Sequence, residues 1–188
     1  MEREWLRKTL EVNTMGPLML AQALEPMMRL PRGALQKMKK KQTKQTETTT
    51  TTTTAAAAAA GGSEGKVEER GLGAEERPPS VVASVSARVG SISDNGLGGW
   101  YSYRISKAAL NMATVNMALE LKRSGVWCIA LHPGTTDTDL SKPFQKNVKP
   151  EKLFSREFSV RQMLGVVDAL DAQHTGGFFA WDGQRIEW

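Results

Sequence analysis

Residues 32–77 interrupt this chain with a stretch that cannot pack. The segment reads RGALQKMKKKQTKQT, then a Thr run at 48–54, six Ala at 55–60, and GGSEGKVEERGLGAEER. Few of its side chains are large and apolar, so burial cannot offset the entropy of ordering the backbone, and disorder is expected. The Ala run is too short to persist as a helix alone. A division follows, with packed segments at 1–31 and 80–188 and a low-complexity insert at 32–79. Nine Lys and Arg against six Glu put +3 of the formal +5 inside the insert. Its Lys37, Lys39, Lys40, Lys41 and Lys44 could touch an acidic surface. The remainder is nearly neutral and shows no interleaving of basic and aromatic residues, so nucleic acid is not an expected partner.

One Cys in 188 residues excludes a disulfide scaffold and a Cys-rich metal centre. Two isolated His, His132 and His174, do not make a metal site, and none is expected; Asp137 and Asp139 suit a solvated loop. No apolar run approaches the roughly 18–20 residues of a membrane span, and the start, Met1-Glu-Arg-Glu-Trp, lacks the order of a secretory signal. A reducing, cytoplasmic setting is expected.

The packed segments alternate. Apolar residues at Leu6, Leu10, Met15, Leu18, Met19, Ala23 and Met27 give helical spacing over 4–30, as one long helix or two joined at Gly16-Pro17, where the ring removes a donor and kinks the axis. Residues 80–89 (SVVASVSARV) alternate like a strand and run into a Gly-rich loop, SISDNGLGG, whose Asp, Asn and Gly suit turns. Residues 101–123 form a second helix, with Gly125 beyond its end. The run VWCIAL at 126–131 reads as a strand buried on both faces, stopped by His132-Pro133-Gly134. Residues 160–172 predict a third helix and 177–181 a last strand. Helices alternating with strands imply a parallel sheet with right-handed crossovers, the doubly wound α/β class. Within VWCIAL, Cys128 reads as a small core residue.

Tyr103 and Lys107 are the densest chemical signal. Four residues make just over one helical turn, so the phenol and the ammonium share a face. A nearby Lys cation should lower the phenol pKa from about 10 and make the group a usable proton donor and acceptor. The helix also follows the carboxyl edge of a parallel strand, where open α/β sheets bind ligands.

Together, EVNTMGP, SVVASVSARVGSI, YSYRISKAALN and HPGTTDTDLS resemble the short-chain dehydrogenase/reductase family. The longer string ARVGSISDNGLGGWYSYRISKAALN and the ending GGFFAWDGQRIEW resemble its carbonyl-reductase-like subgroup. The likeness covers most of residues 5–30 and 80–188. It implies a Rossmann-like fold and hydride transfer between NADP or NAD and a small carbonyl or alcohol substrate, with NADP favoured by analogy. By the same resemblance Tyr103 protonates the carbonyl oxygen, Lys107 tunes Tyr103 and holds the nicotinamide ribose, and Asn13 fixes a water beside Lys107. Pro133, Gly134 and Thr138 match the turn that meets the nicotinamide. A homo-oligomer through the helices at 4–30 and 101–123 is also implied.

Two departures from the family pattern matter. Ala87 stands where the family usually carries its substrate-binding Ser, leaving Ser91, in the following loop, or Ser86 to supply the hydroxyl. No T-G-x-x-x-G-x-G turn exists in the sequence; Gly61-Gly62 and Gly71-Leu-Gly73 follow no strand. The expectation is therefore a truncated, carboxyl-terminal catalytic part whose amino-terminal cofactor-binding half is missing. The other reading is a non-catalytic remnant that works as an interaction protein.

Overall fold

A computed structural model describes residues 2–31, 33, 36 and 80–188. The elements below all belong to one compact unit, Met1–Arg29 with Ser80–Trp188; the second unit, Leu30–Pro79, lies almost wholly outside the described residues. So do the Thr and Ala runs, the Lys cluster and the disorder expected of them.

In chain order the elements are α1 (Arg3–Leu10), α2 (Gly16–Met28), β1 (Ser80–Val85), α3 (Tyr101–Leu121), β2 (Val126–His132), β3 (Thr135–Thr136), β4 (Leu153–Phe154), α4 (Arg156–Asp168) and β5 (Phe178–Ala180). The main sheet has the order β1-β2-β5 with both pairings parallel, Val82 opposite Cys128 and Leu131 opposite Phe179. A short parallel pair, β3 with β4, closes the loop that follows β2. This is the expected α/β class, a parallel Rossmann-like sheet.

Period-two alternation along β2 divides the core between the two faces of the sheet. Val126 and Cys128 meet Ala21 of α2 and Met117 and Ala118 of α3, whereas Ile129 and Leu131 meet Met163, Val166 and Val167 of α4. Val126, Cys128 and Ile129 are wholly buried. Each large apolar side chain buried in this way stabilises the fold by roughly 1.5–3 kcal/mol. Ala130, Phe178 and Ala180 pack with Ile186 of the tail, which folds back through an Ile186 N–H to Phe178 carbonyl bond of 2.8 Å.

Several boundaries differ from expectation, three of them for a visible reason. The first helical stretch is not regular up to Gly16-Pro17; a π-helical turn, Glu11–Met15, joins α1 to α2 directly before that pair. Pro17 has no N–H for the Asn13 carbonyl, and the Gly16 N–H reaches back five residues to Glu11, so the bonding pattern shifts ahead of the ring. β1 ends at Val85 rather than 89, because the chain turns as a short 3₁₀ segment, Arg88–Gly90, onto α3. α4 starts at Arg156, four residues before the sequence pattern suggests, because the Ser155 hydroxyl accepts the Phe158 N–H at 3.1 Å and caps it.

Candidate active site

At the carboxyl ends of β1 and β2 lies a largely apolar cavity of about 1230 Å³. Ser86 and Ala87 reach it from β1, His132, Pro133 and Gly134 from β2, and Tyr103 from the first turn of α3. Gly90 permits this convergence. A Cβ there would stand 2.7 Å from the Lys107 Cβ and 2.8 Å from the Lys107 carbonyl carbon, so only glycine lets the loop after β1 lie against α3.

Tyr103 is half-buried, and burial raises its phenol above the usual value near 10. Lys107 is lowered, also by burial. Its Nζ lies 5.9 Å from the Tyr103 ring centroid and donates at 2.9 Å to the Val85 carbonyl. The expected lowering of the phenol by the ammonium is therefore reversed in sign, because desolvation is the cause acting on Tyr103. Lys107 itself lines a second groove, of about 440 Å³, between α2 and β1.

Asn13 lines both spaces. The π turn aims it and Thr14 at α3. Asn13 Nδ2 donates to Ser106 Oγ at 3.0 Å, and Thr14 Oγ1 donates to the Ser106 carbonyl at 2.8 Å. Ser106 Oγ in turn donates to the Tyr103 carbonyl at 2.8 Å. Asn13 thus reaches the turn that carries Tyr103, and its side chain contacts Ser106 rather than Lys107.

Neither candidate serine presents a free hydroxyl to the cavity. Ser91 does not line it; its hydroxyl donates to the Glu187 carbonyl and accepts the Asp94 N–H at 3.0 Å, anchoring the tail. Ser86 does line it, but donates to Asn111 Oδ1 at 2.6 Å, while Asn111 Nδ2 holds the Gly90 carbonyl at 3.2 Å. Pro133, Gly134 and Thr138 all line the cavity. Gly134 has φ +75, and a Cβ there would lie 2.7 Å from the Phe154 ring and 2.9 Å from Trp181.

Sequence reasoning missed Ser102, His132, Trp100 and Phe144 as lining groups. Ser102 is buried beside Tyr103. His132 Nδ1 is buried without a hydrogen-bond partner among the described residues. Burial holds its imidazole down at about 4, with Arg88 acting in the same direction and Asp182 and Asp94 against it. Trp100, at the amino end of α3, is the sole non-glycine with positive φ among the described residues. The Gly98-Gly99 pair before it was the available signal. Burial pushes the Cys128 thiol up to about 11, which leaves it inert as a nucleophile. Among the described residues no group of three His, Cys, Asp or Glu side chains could hold a metal.

The fit to a nicotinamide is partial. Tyr103 and the close-packed Pro133-Gly134 turn border one concave, mostly apolar space at the strand ends, which suits a flat heteroaromatic ring. No Gly-rich turn in the sequence matches a dinucleotide's phosphates.

Residues 80–149 match the short chain dehydrogenase family. The chain is 42% identical over 107 residues to C-signal of Myxococcus xanthus, covering 57% of this chain and 60% of that protein. It is 39% identical over 107 residues to the 1-hydroxy-2-glutathionyl-2-methyl-3-butene dehydrogenase of Rhodococcus sp. (strain AD45), covering 57% of this chain and 46% of that one. The chain therefore spans about half to three-fifths of the length of these relatives. Its fold is similar to that of the NADPH-bound carbonyl reductase from chicken fatty liver, with a TM-score of 0.68 and 26% identity over the whole of this chain and 59% of that one. Sequence and fold together make the chain similar to the short-chain dehydrogenase/reductase family, C-signal and the avian carbonyl reductase among its relatives.

Proposed function

We propose that this chain carries the catalytic centre of a nicotinamide-dependent reductase acting on small carbonyl or alcohol substrates. The observation that supports it most is the half-buried Tyr103 phenol in the cavity at the strand ends, facing a space shared with the Pro133-Gly134 turn. Burial keeps that phenol protonated across neutral pH, the form that donates a proton to a carbonyl oxygen. Asn13 and Ser106 fix the turn that carries it. Ala87 lines the same cavity as Tyr103, and Ser91 acts through the tail rather than on substrate.

Tyr103, Lys107, Pro133, Gly134 and Thr138 would hold the nicotinamide half of the cofactor, which supplies a hydride to the carbonyl carbon when bound. NADP(H) is the favoured form by analogy with the NADPH-bound avian reductase. The phosphates need a binding segment beyond those in this sequence, in keeping with a catalytic part of a longer reductase. The packed segments 1–31 and 80–188 act as one domain, and the insert at 32–79 interrupts it in sequence.

Two copies pair through the helices at 4–30 and 101–123, which expose Val12, Met15 and Met19 on one and Met112 and Leu119 on the other. A reducing, cytoplasmic setting suits the free, buried Cys128. No helix among the described residues is long and apolar enough to cross a membrane.

Calorimetric titration with NADPH and NADH, alongside an assay of carbonyl reduction, tests this reading. Tyr103→Phe should lower turnover at least ~100-fold, as expected for loss of a positioned proton donor, and Lys107→Met should weaken cofactor binding. Undiminished turnover in Tyr103→Phe, or no binding of either nucleotide at millimolar concentration, overturns it.

A further inference from the structure

Gly98, Gly99 and Trp100 form an unbroken left-handed turn, with φ of 63°, 72° and 46°. Glycine enters that region freely, but a tryptophan does so only when its surroundings hold it there. Arg104 does the holding. Its Nε donates to the Gly98 carbonyl at 3.0 Å and its Nη1 to the Val89 carbonyl at 3.1 Å, while its backbone N–H donates to the Trp100 carbonyl at 2.9 Å. Gly98 N–H is fixed from the other side by Asn95 Oδ1 at 3.0 Å.

This turn sets the Trp100 ring 4.6 Å, centroid to centroid, from Phe144 of the loop after β2, at a tilt of 48°. Both rings line the cavity that contains Tyr103, and both remain about half exposed, at 52% and 41%. Three hydroxyls of the loop after β2 and of α4, beside Phe144, are meanwhile turned inward. Ser159 Oγ donates to the Pro133 carbonyl, Thr136 Oγ1 to Ser159 Oγ, and Ser141 Oγ to the Thr136 carbonyl. At this end the site thus offers the aromatic faces of Trp100 and Phe144 rather than those three hydroxyls.

We propose that Trp100 is a specificity-determining residue that, with Phe144, selects flat aryl carbonyl compounds over aliphatic ones. The inference rests on the reductase reading of the Tyr103 cavity and adds the substrate class. A planar ring gains offset or edge-to-face contact with each aromatic partner, whereas a puckered ring of the same size gains only area.

Acetophenone and cyclohexyl methyl ketone separate these two terms, since they share a carbon count and a methyl ketone and differ in ring planarity. Their binding to the full chain is compared by calorimetry without cofactor. The unsubstituted chain should hold acetophenone about five- to tenfold more tightly. Trp100→Gly, which suits the left-handed backbone, should bring the ratio close to one, and Trp100→Phe should keep part of it. Phe144→Ala, at an exposed site, gives the same readout should the Trp100 variants lose their fold. A ratio unchanged in both Trp100→Gly and Phe144→Ala overturns the proposal, as does equal binding, or no binding, of the two ketones to the unsubstituted chain. Aryl preference without Tyr103-dependent reduction would overturn the reductase reading alone, and reduction without aryl preference would overturn the clamp alone.

Discussion

The loops that leave β1 and β2 border the same cavity but are held by different means. The first, from Ser86 to the amino end of α3, is tied by side chains from elsewhere: Asn111 on the Gly90 carbonyl, Arg104 on Val89 and Gly98, and the tail carbonyl of Glu187 on Ser91. The second is held by its own Ser141 hydroxyl on the Thr136 carbonyl, by Thr136 on Ser159 of the adjoining α4, and by Phe154, whose ring lies 4.5 Å from Trp181. Order in the first loop is mostly imported from distant elements, with Asn95 on Gly98 its own contribution, and in the second it is mostly local, with Ser159 and Arg156 of the adjoining α4 as its outside ties. The side of the site that carries Tyr103 and Trp100 should therefore be the more sensitive to distant substitution.

The largest effect is expected at Gly90. Its Cβ obstacle is the backbone and Cβ of α3, which cannot swing aside. Gly90→Ala should destabilise the fold by about 3 kcal/mol, read as a lower denaturant midpoint. Survival of the midpoint would mean that the first loop is not pinned to α3.

His132 sits between the loops and is next in size. Its folded pKa of about 4 lies below the unfolded 6.5, so the unfolded chain takes up the proton first. The stability present above pH 6.5 should fall by up to about 3 kcal/mol as pH drops through 4. His132→Gln should flatten that part of a melting-temperature against pH curve; an unchanged slope assigns the acid sensitivity to other groups.

Asn111→Ala removes a buried side chain that serves both Ser86 and Gly90. The expected loss is about 2 kcal/mol, from the polar groups left unpaired. A near-ultraviolet dichroism change from Trp100 should accompany it if order is imported along this route. Ser141→Ala, in the self-held loop, should cost about 1 kcal/mol or less and leave the Trp100 signal unchanged. A larger effect there than at Asn111 would invert the comparison.

What the sequence made legible follows this division. VWCIAL, the Tyr103-to-Lys107 turn and the Pro133-Gly134 stop are contiguous patterns whose meaning depends on near neighbours, and the strand, the helix and the turn stand where those patterns put them. Ser91 was not legible, since its direction is set by a carbonyl 96 residues away. The sign of the Tyr103 shift was not legible either, because spacing places a lysine on the same face but does not say that its Nζ will bond to Val85. Phe144 belongs to the cavity only because the second loop folds over it, and no local signal announces that.

The π turn at Glu11–Met15 amounts to a single residue inserted into an otherwise continuous helix. One added residue rotates everything beyond it by about 100° relative to an uninterrupted helix. The half before it presents Trp5, Lys8 and Thr9 to the large cavity, and the half after it presents Leu20, Ala21 and Leu24 to the groove beside β1. One rod thereby carries two faces that can diverge independently, so changes suited to a new substrate at one end need not disturb the packing at the other.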